Sequence, residues 1–399
     1  MRILHTADWH LGKKTDDLDR LDEQKQALDQ IIKIAKDKKV DMVIVAGDIY
    51  NSFVPSADAE NLFYRTVSEL SNNGNTAVVV IAGNHDDPKR MSNAGLFTSK
   101  FNIFLVGDIN DIKITKNANR DKNIYATSCG TGYIKFKTKA GEEVVVACLP
   151  YPSYYRYGDT KNENDKFDDK IRKWLAPAVK EFKPESVNIL TAHLLTYGID
   201  LGGEEIDEYG SVASTIDFVD RSVLDLGADY VALGHIHKLI KVDKNKNIYY
   251  SGSLINNFFA DVNNDKFVIV ADVDNTGVKN LEPVQLDVKR MVTFTSDSLE
   301  EIEKFCDVAK DDYIKATLKQ NGSVTFEQLK DLRARHPNLI TFSVLNEELL
   351  LGENIESKKD LTTSEIFDKF ALAVTGKEAK PEVKELFLEL MGEDLYEAN

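Results

Sequence analysis

Five short, almost uninterrupted apolar runs set the terms for this chain: residues 2–7, 41–46, 76–82, 186–191 and 228–233, each followed closely by a polar residue or glycine. A strand covered on one face alternates apolar and polar residues, whereas one covered on both faces is apolar throughout. These runs therefore belong to sheets with other layers packed on either side. Between the first three lie helical patterns: Leu21, Leu28, Ile31, Ile32 and Ala35 recur at helical spacing. Pro55-Ser56 opens a second helix carrying Leu62, Phe63, Val67 and Leu70. The order predicts two β-α-β crossovers. From residue 112 to 150 the runs shorten (124–127, 133–138, 144–149), which predicts a second sheet beside the first, and the same texture returns from 238 to 286.

Beyond residue 287 the pattern changes to strand 291–295, helix 299–308, strand 313–319, helix 326–335 and strand 339–345, a small separate α/β domain. Two amphipathic helices follow. One, 364–375, carries Ile366, Phe367, Phe370, Ala371 and Val374; the other, 381–391, carries Val383, Leu386, Phe387, Leu390 and Met391. Pro381 near a start and Gly376 and Gly392 past ends are the expected punctuation. The domain reading is 1–287, 288–346 and 347–399, which a chain of 399 residues has room for. No internal repeat or low-complexity tract interrupts it.

The polar residues after the apolar runs are Asp8 and His10; Gly47-Asp48; Gly83-Asn84-His85-Asp86; His193; and Gly234-His235-Ile236-His237. In an α/β sheet the carboxyl ends of parallel strands share one edge, so five of the seven histidines are expected to meet there. Singly, each is an ordinary turn or cap residue; their repetition at successive strand ends carries the functional reading. Asp, His and Asn without a thiolate suit Mn²⁺ or another six-coordinate ion better than a tetrahedral zinc site. Eight candidates exceed the needs of one ion. Two ions about 3.5–4 Å apart, sharing a carboxylate, would activate a water and clamp a phosphoryl oxygen. Hydrolysis of a phosphate ester uses all of these groups.

In this order the motifs D-x-H (8–10), G-D (47–48), G-N-H-D (83–86), a lone His193 and G-H-x-H (234–237) resemble the calcineurin-like metallophosphoesterase superfamily. HTADWHLGK (5–13), AGDIY (46–50), VPSADA (54–59), LPYP (149–152), YSGS (250–253) and HPNLI (336–340) narrow the likeness to the nuclease subunits of bacterial SbcCD complexes. The resemblance implies a two-sheet β-sandwich flanked by helices, with a small α/β capping domain and C-terminal helices. It implies that Asp8, His10, Asp48 and His237 hold one metal and Asp48, Asn84, His193 and His235 the other, with Asp48 bridging. His85 is then no ligand: it contacts the scissile phosphate and helps the leaving oxygen depart, a task suited to an imidazole. Asp86 reads as a turn or orienting residue. Relatives with a further histidine three positions after the bridging Asp have no counterpart here, where Asn51 stands.

The implied activity is that of a DNA exonuclease and endonuclease using two Mn²⁺, with Mg²⁺ as the alternative, in DNA repair, recombination and replication. The implied partners are DNA, a second copy of the chain within a heterotetramer, and the SbcC ATPase, whose coiled-coil base the tail helices would dock on. Other readings are a phosphomonoesterase or phosphoprotein phosphatase of the same superfamily, or a repair scaffold that does not cleave. Phosphatases of the superfamily typically show GDYVDRG and RGNHE, against GDIYNS and AGNHDD here. His5 and His336 fall away from the strand ends and read as structural. Trp9 has two readings, a base-stacking platform or a core residue. Lys13, Lys14, Lys89, Arg90, Arg221, Lys238 and Lys241 lie close enough in sequence to the motifs to meet phosphates.

A net charge of −16 first argues against nucleic acid. Residues 346–399 alone hold 14 acidic and 6 basic side chains, so half of the excess sits in the tail. Three scattered cysteines form neither a disulfide framework nor a thiolate site and fit a reducing cytoplasm. No apolar run exceeds six residues and the first ten lack an apolar signal core, so a soluble, non-secreted protein is expected, cytoplasmic and nucleoid-associated, with no membrane partner.

Overall fold

The computed structural model describes residues 1–16, 18–115, 118–154, 156–157, 166–196, 218–257, 259, 265–319 and 324–345, together with 364, 367, 381, 383, 384 and 387. They divide into two units, one of residues 1–293 and 309–315, the other of residues 294–308 and 316–399.

The first unit is built on two sheets. One has six strands in the order Gly277–Leu286, Lys266–Asp274, Arg2–Thr6, Met42–Ala46, Ala77–Ile81 and Ile103–Val106, the last four mutually parallel. The other has seven, in the order Ile240–Lys241, Ile248–Tyr250, Tyr230–Gly234, Val187–His193, Glu143–Leu149, Tyr133–Thr138 and Ile124–Gly130. Strand alternation explains why the central runs are apolar on both faces. Val43 and Val45 point to one core shared with Leu28 and Ile31 of helix Leu21–Asp37 and Phe63 and Val67 of helix Ala57–Leu70. Met42 and Ile44 point to the layer between the sheets, where Phe104 meets Phe136 edge to face at 5.1 Å. Leu190 and Ala192 pack outward on Trp174 and Leu175 of helix Phe167–Val179.

His5 lies in the inter-sheet layer. Its Nε2 faces the Leu233 carbonyl at 3.1 Å and so carries the proton, leaving Nδ1 to accept from the Tyr230 hydroxyl at 3.0 Å. Burial drives its pKa down to about 3. It is a neutral tie between the two sheets.

The small three-stranded sheet runs Met291–Ser296, Tyr313–Lys319, Leu339–Leu345, with helices Leu299–Val308 and Phe326–Arg335 between its strands. A Thr325/Gln328 capping box starts the second helix, and Phe294 stacks on Phe305 at 4.3 Å. His336 is buried with Nδ1 3.7 Å from Asp307. In the tail, Ser364 and Phe367 are helical, as are Pro381, Val383, Lys384 and Phe387, and the Phe367 and Phe387 rings stack at 4.2 Å. The other residues expected on the tail's apolar faces lie outside the described residues. Among the described residues no helix is long and apolar enough to cross a membrane.

Candidate metal centre

The expectation of one sheet edge needs correction. Asp8, His10, Asp48, Asn84 and His85 follow strands of the six-stranded sheet, whereas His193, His235 and His237 end or follow strands of the seven-stranded one. The donors meet because the carboxyl ends of parallel strands from two facing sheets lie together. Apolar runs alone do not say which sheet a strand joins.

All eight residues come together. Atoms of Asp8, His10 and His237 that could bind a metal lie within 4.8 Å of one another, as do those of Asp48, His193 and His235. His10 Nε2 is 3.1 Å from His237 Nε2 and 3.7 Å from Asp48 Oδ2, and His193 Nε2 is 3.4 Å from the same Asp48 oxygen. Asn84 Oδ1 is 3.0 Å from both His193 Nε2 and His235 Nδ1. Asp48 thus sits between the two groups. His85 also comes within 4.8 Å of His10 and Asp48, but its Nδ1 donates to the Asn51 carbonyl at 3.1 Å, leaving Nε2 for chemistry.

The backbone that aims these groups is strained. Asp8 (φ 52°), His10 (46°), Asp48 (50°) and His235 (106°) all occupy the left-handed region, which side chains other than glycine seldom adopt, at about 1–3 kcal/mol each. Hydrogen bonds hold three of them there: Asp8 N donates to Gly47 O and His10 N to Asp48 O, each at 3.0 Å, and His235 N donates to the Asp8 carboxyl oxygens. Close packing leaves no room for side chains alongside. A Cβ on Gly83 would lie 2.0 Å from Asp48 Oδ1, and one on Gly47 2.2 Å from His193 Nδ1.

Neighbouring groups orient the donors. His193 Nδ1 donates to Ala46 O at 2.8 Å, which presents Nε2 to the site. Gln24 Nε2 donates to the carbonyls of Trp9 and His10, while its Oε1 accepts from Gly12 N. Lys266 Nζ donates to the His237 carbonyl at 3.0 Å. Asp86 accepts from the backbone N–H groups of Ile49, Tyr50 and Gly83, consistent with an orienting role. Burial, then the Asp48 charge, pushes its pKa up to about 6 against those three donors. Gln24 and Lys266 carried no sequence signal, since their partners lie outside the few residues a local pattern spans. Trp9 is fully buried against Phe63, with Nε1 donating to Thr6 Oγ1, so it is a core residue. Among the basic candidates, Arg90 is paired with Glu60 at 2.7 Å and Arg221 lies 3.8 Å from Asp243.

The electrostatics fit divalent cations. Burial holds His10 and His237 well below the ordinary imidazole range, and His235 at about 3, so all three are neutral donors. Burial opposes ionisation of Asp48 too, yet the charge of His193 and its hydrogen bond hold the Asp48 carboxyl well below the usual range. Burial alone would lower His193, but Asp48 and Asp8 raise it to about 9. The Asp48 carboxylate thus draws positive charge onto a buried imidazole, whereas burial pushes the Asp8 carboxyl well above the usual range. A divalent ion would supply that positive charge and leave the imidazole neutral.

The sequence pattern of the calcineurin-like phosphoesterase family matches residues 1–239. The chain is 31% identical over 404 residues to the D subunit of the SbcCD nuclease of Bacillus subtilis (strain 168), covering 98% of this chain and 97% of that protein. A crystal structure of TT1561 of Thermus thermophilus superposes with a TM-score of 0.36 and 13% identity over 71% of this chain and 98% of that one.

Proposed function

The chain belongs to the calcineurin-like phosphoesterase family, and from that premise we propose that it is a Mn²⁺-dependent DNA nuclease, both double-strand exonuclease and single-strand or hairpin endonuclease. The observation that carries this is the pair of donor groups Asp8–His10–His237 and Asp48–His193–His235, side by side in a chain aligned almost end to end with a nuclease subunit. Asp8, His10, Asp48 and His237 hold one ion and Asp48, Asn84, His193 and His235 the other; Mg²⁺ is the alternative metal. Bound there, divalent ions would lower the pKa of a water and offset phosphoryl charge. His85, anchored through Nδ1, acts as the imidazolium: its Nε2–H passes a proton to the departing oxygen, leaving the neutral ring with Nδ1–H still on the Asn51 carbonyl. Asp48 is fixed by the His85 backbone N–H, which donates to its Oδ1 at 2.8 Å.

The protein works in the cytoplasm, at the nucleoid, in DNA repair, recombination and replication. Its tail docks on the coiled-coil base of the SbcC ATPase, with residues 347–399 as the docking segment, 288–346 as the capping domain and 1–287 as the nuclease domain. Stacking of Phe367 on Phe387 supports a paired tail. Two copies assemble within a heterotetramer. Leu96, Phe97 and Phe101, between 51% and 66% exposed along and just after helix Pro88–Thr98, are the apolar surface offered to the second copy.

The test is cleavage by the purified full chain with Mn²⁺. Weak nicking or degradation of DNA is expected, strengthened on duplex ends and hairpins by adding the ATPase and ATP. Release of phosphate from a monoester with DNA left intact would sink the reading.

A further inference from the structure

Building on this metal-centre reading, we propose that Arg156 is a positioning residue that sets Asn84 and His85 against the imidazoles of the seven-stranded sheet. Its Nη1 donates to the Gly83 carbonyl at 2.8 Å, and its Nη2 to the carbonyls of Asn84 and Asp86 at 3.2 and 3.0 Å. Three main-chain acceptors within four residues are thus met by one planar fork. A lysine ammonium, a compact charge on a flexible stem, cannot meet all three in that plane.

The same guanidinium lies 5.3 Å over the ring of Tyr151, which stacks on His235 at 6.1 Å and meets His193 edge-on at 6.2 Å. Arg156 therefore touches the loop bearing Asn84 and His85 directly, and reaches His193 and His235 through one aromatic ring. Those two imidazoles are the ones whose nitrogens lie 3.0 Å from Asn84 Oδ1. The arginine is itself anchored: its N–H donates to Ser153 Oγ, and the next residue, Tyr157, donates to the Pro150 carbonyl and packs on Trp174 at 4.6 Å. The sequence offered only the LPYP run before it, with no role attached.

The experiment is calorimetric titration of the full chain with Mn²⁺, alongside hydrolysis of bis(p-nitrophenyl) phosphate. Two ions are expected to bind the native protein. Arg156→Ala should weaken one of them by about 10–100-fold, the range for loss of an orienting partner, and leave the other unchanged. Added guanidinium ion should restore the affinity, and Arg156→Lys should not. The kcat should fall at least about tenfold with KM little altered. Native-like binding of both ions in Arg156→Ala, full activity in Arg156→Lys, or no rescue by guanidinium overturns the assignment. Should Arg156→Ala not fold, Arg156→Lys carries the test: a single weakened ion supports the role and native-like titration refutes it. A native chain that binds two Mn²⁺ yet hydrolyses no phosphodiester refutes the nuclease reading, while the metal titration still judges Arg156.

Discussion

Replacing Asp86 measures how far the centre depends on one buried carboxylate. Its Oδ2 accepts from Gly83 N at 2.8 Å and Ile49 N at 3.1 Å, and its Oδ1 from Tyr50 N at 2.9 Å. These bonds tie the loop of Asn84 and His85 to the turn that follows Asp48. In Asp86→Asn the best orientation keeps an oxygen for Gly83 and Ile49 and turns an NH2 toward Tyr50 N, leaving one buried N–H unpaired at about 1–3 kcal/mol. Asp86→Ala leaves three, about 3–9 kcal/mol if each cost is of that size, against a domain stability of about 5–15. The expected order is native, then Asn, then Ala, with Asn the variant still folded enough to titrate. Both tryptophans, Trp9 and Trp174, are buried in the first unit, so urea unfolding followed by their fluorescence reports on the unit that holds the site. Mn²⁺ affinity of Asp86→Asn should fall by about 10–100-fold. An unfolding free energy within about 0.5 kcal/mol of native, together with unchanged Mn²⁺ binding, would refute the reasoning.

His85→Ala should lower kcat by about 10²–10⁴-fold while both ions stay bound, because the bond to Asp48 Oδ1 comes from the His85 backbone and survives the change; calorimetry that finds an ion lost would contradict this. His5 gives a pH signature. It is held at about 3 when folded and titrates near 6.5 when unfolded, so below pH 6.5 only the unfolded chain takes up its proton. Its contribution is intact above pH 6.5 and is lost at about 1.4 kcal/mol per unit as pH falls toward 3. His5→Gln should therefore show a flatter stability profile between pH 7 and 5 than the native protein, and parallel profiles would count against a neutral buried His5.

The central strands and the helices Leu21–Asp37 and Ala57–Leu70 were legible because periodicity is local: a strand buried on both faces must be apolar throughout, and a helix on one face must repeat near every 3.6 residues. The donors were legible for the same reason, since each stands within a few residues of the end of a readable strand. The strand–helix alternation after residue 287 was equally plain, from the strand at Met291–Ser296 to that at Leu339–Leu345. Helix Phe167–Val179 was not read, although its Ile171, Trp174 and Leu175 cover the outer face of the second sheet.

What the sequence determined by itself was therefore which residues end the strands and what chemistry those residue types can do together. Tertiary structure decided how they meet. Only folding places Val187–His193 and Tyr230–Gly234 in a sheet facing the one that bears Asp8 and Asp48, because pairing between strands far apart along the chain leaves no period to read. Only folding drives Asp8, His10, Asp48 and His235 into left-handed backbone, since neighbouring loops rather than their own preferences impose it. Whole-chain charge is silent on this site for a related reason: electrostatic energy depends on distance and burial, so a net count of −16 says little about a cluster in which Asp8, His10, Asp48, His193 and His235 are buried together.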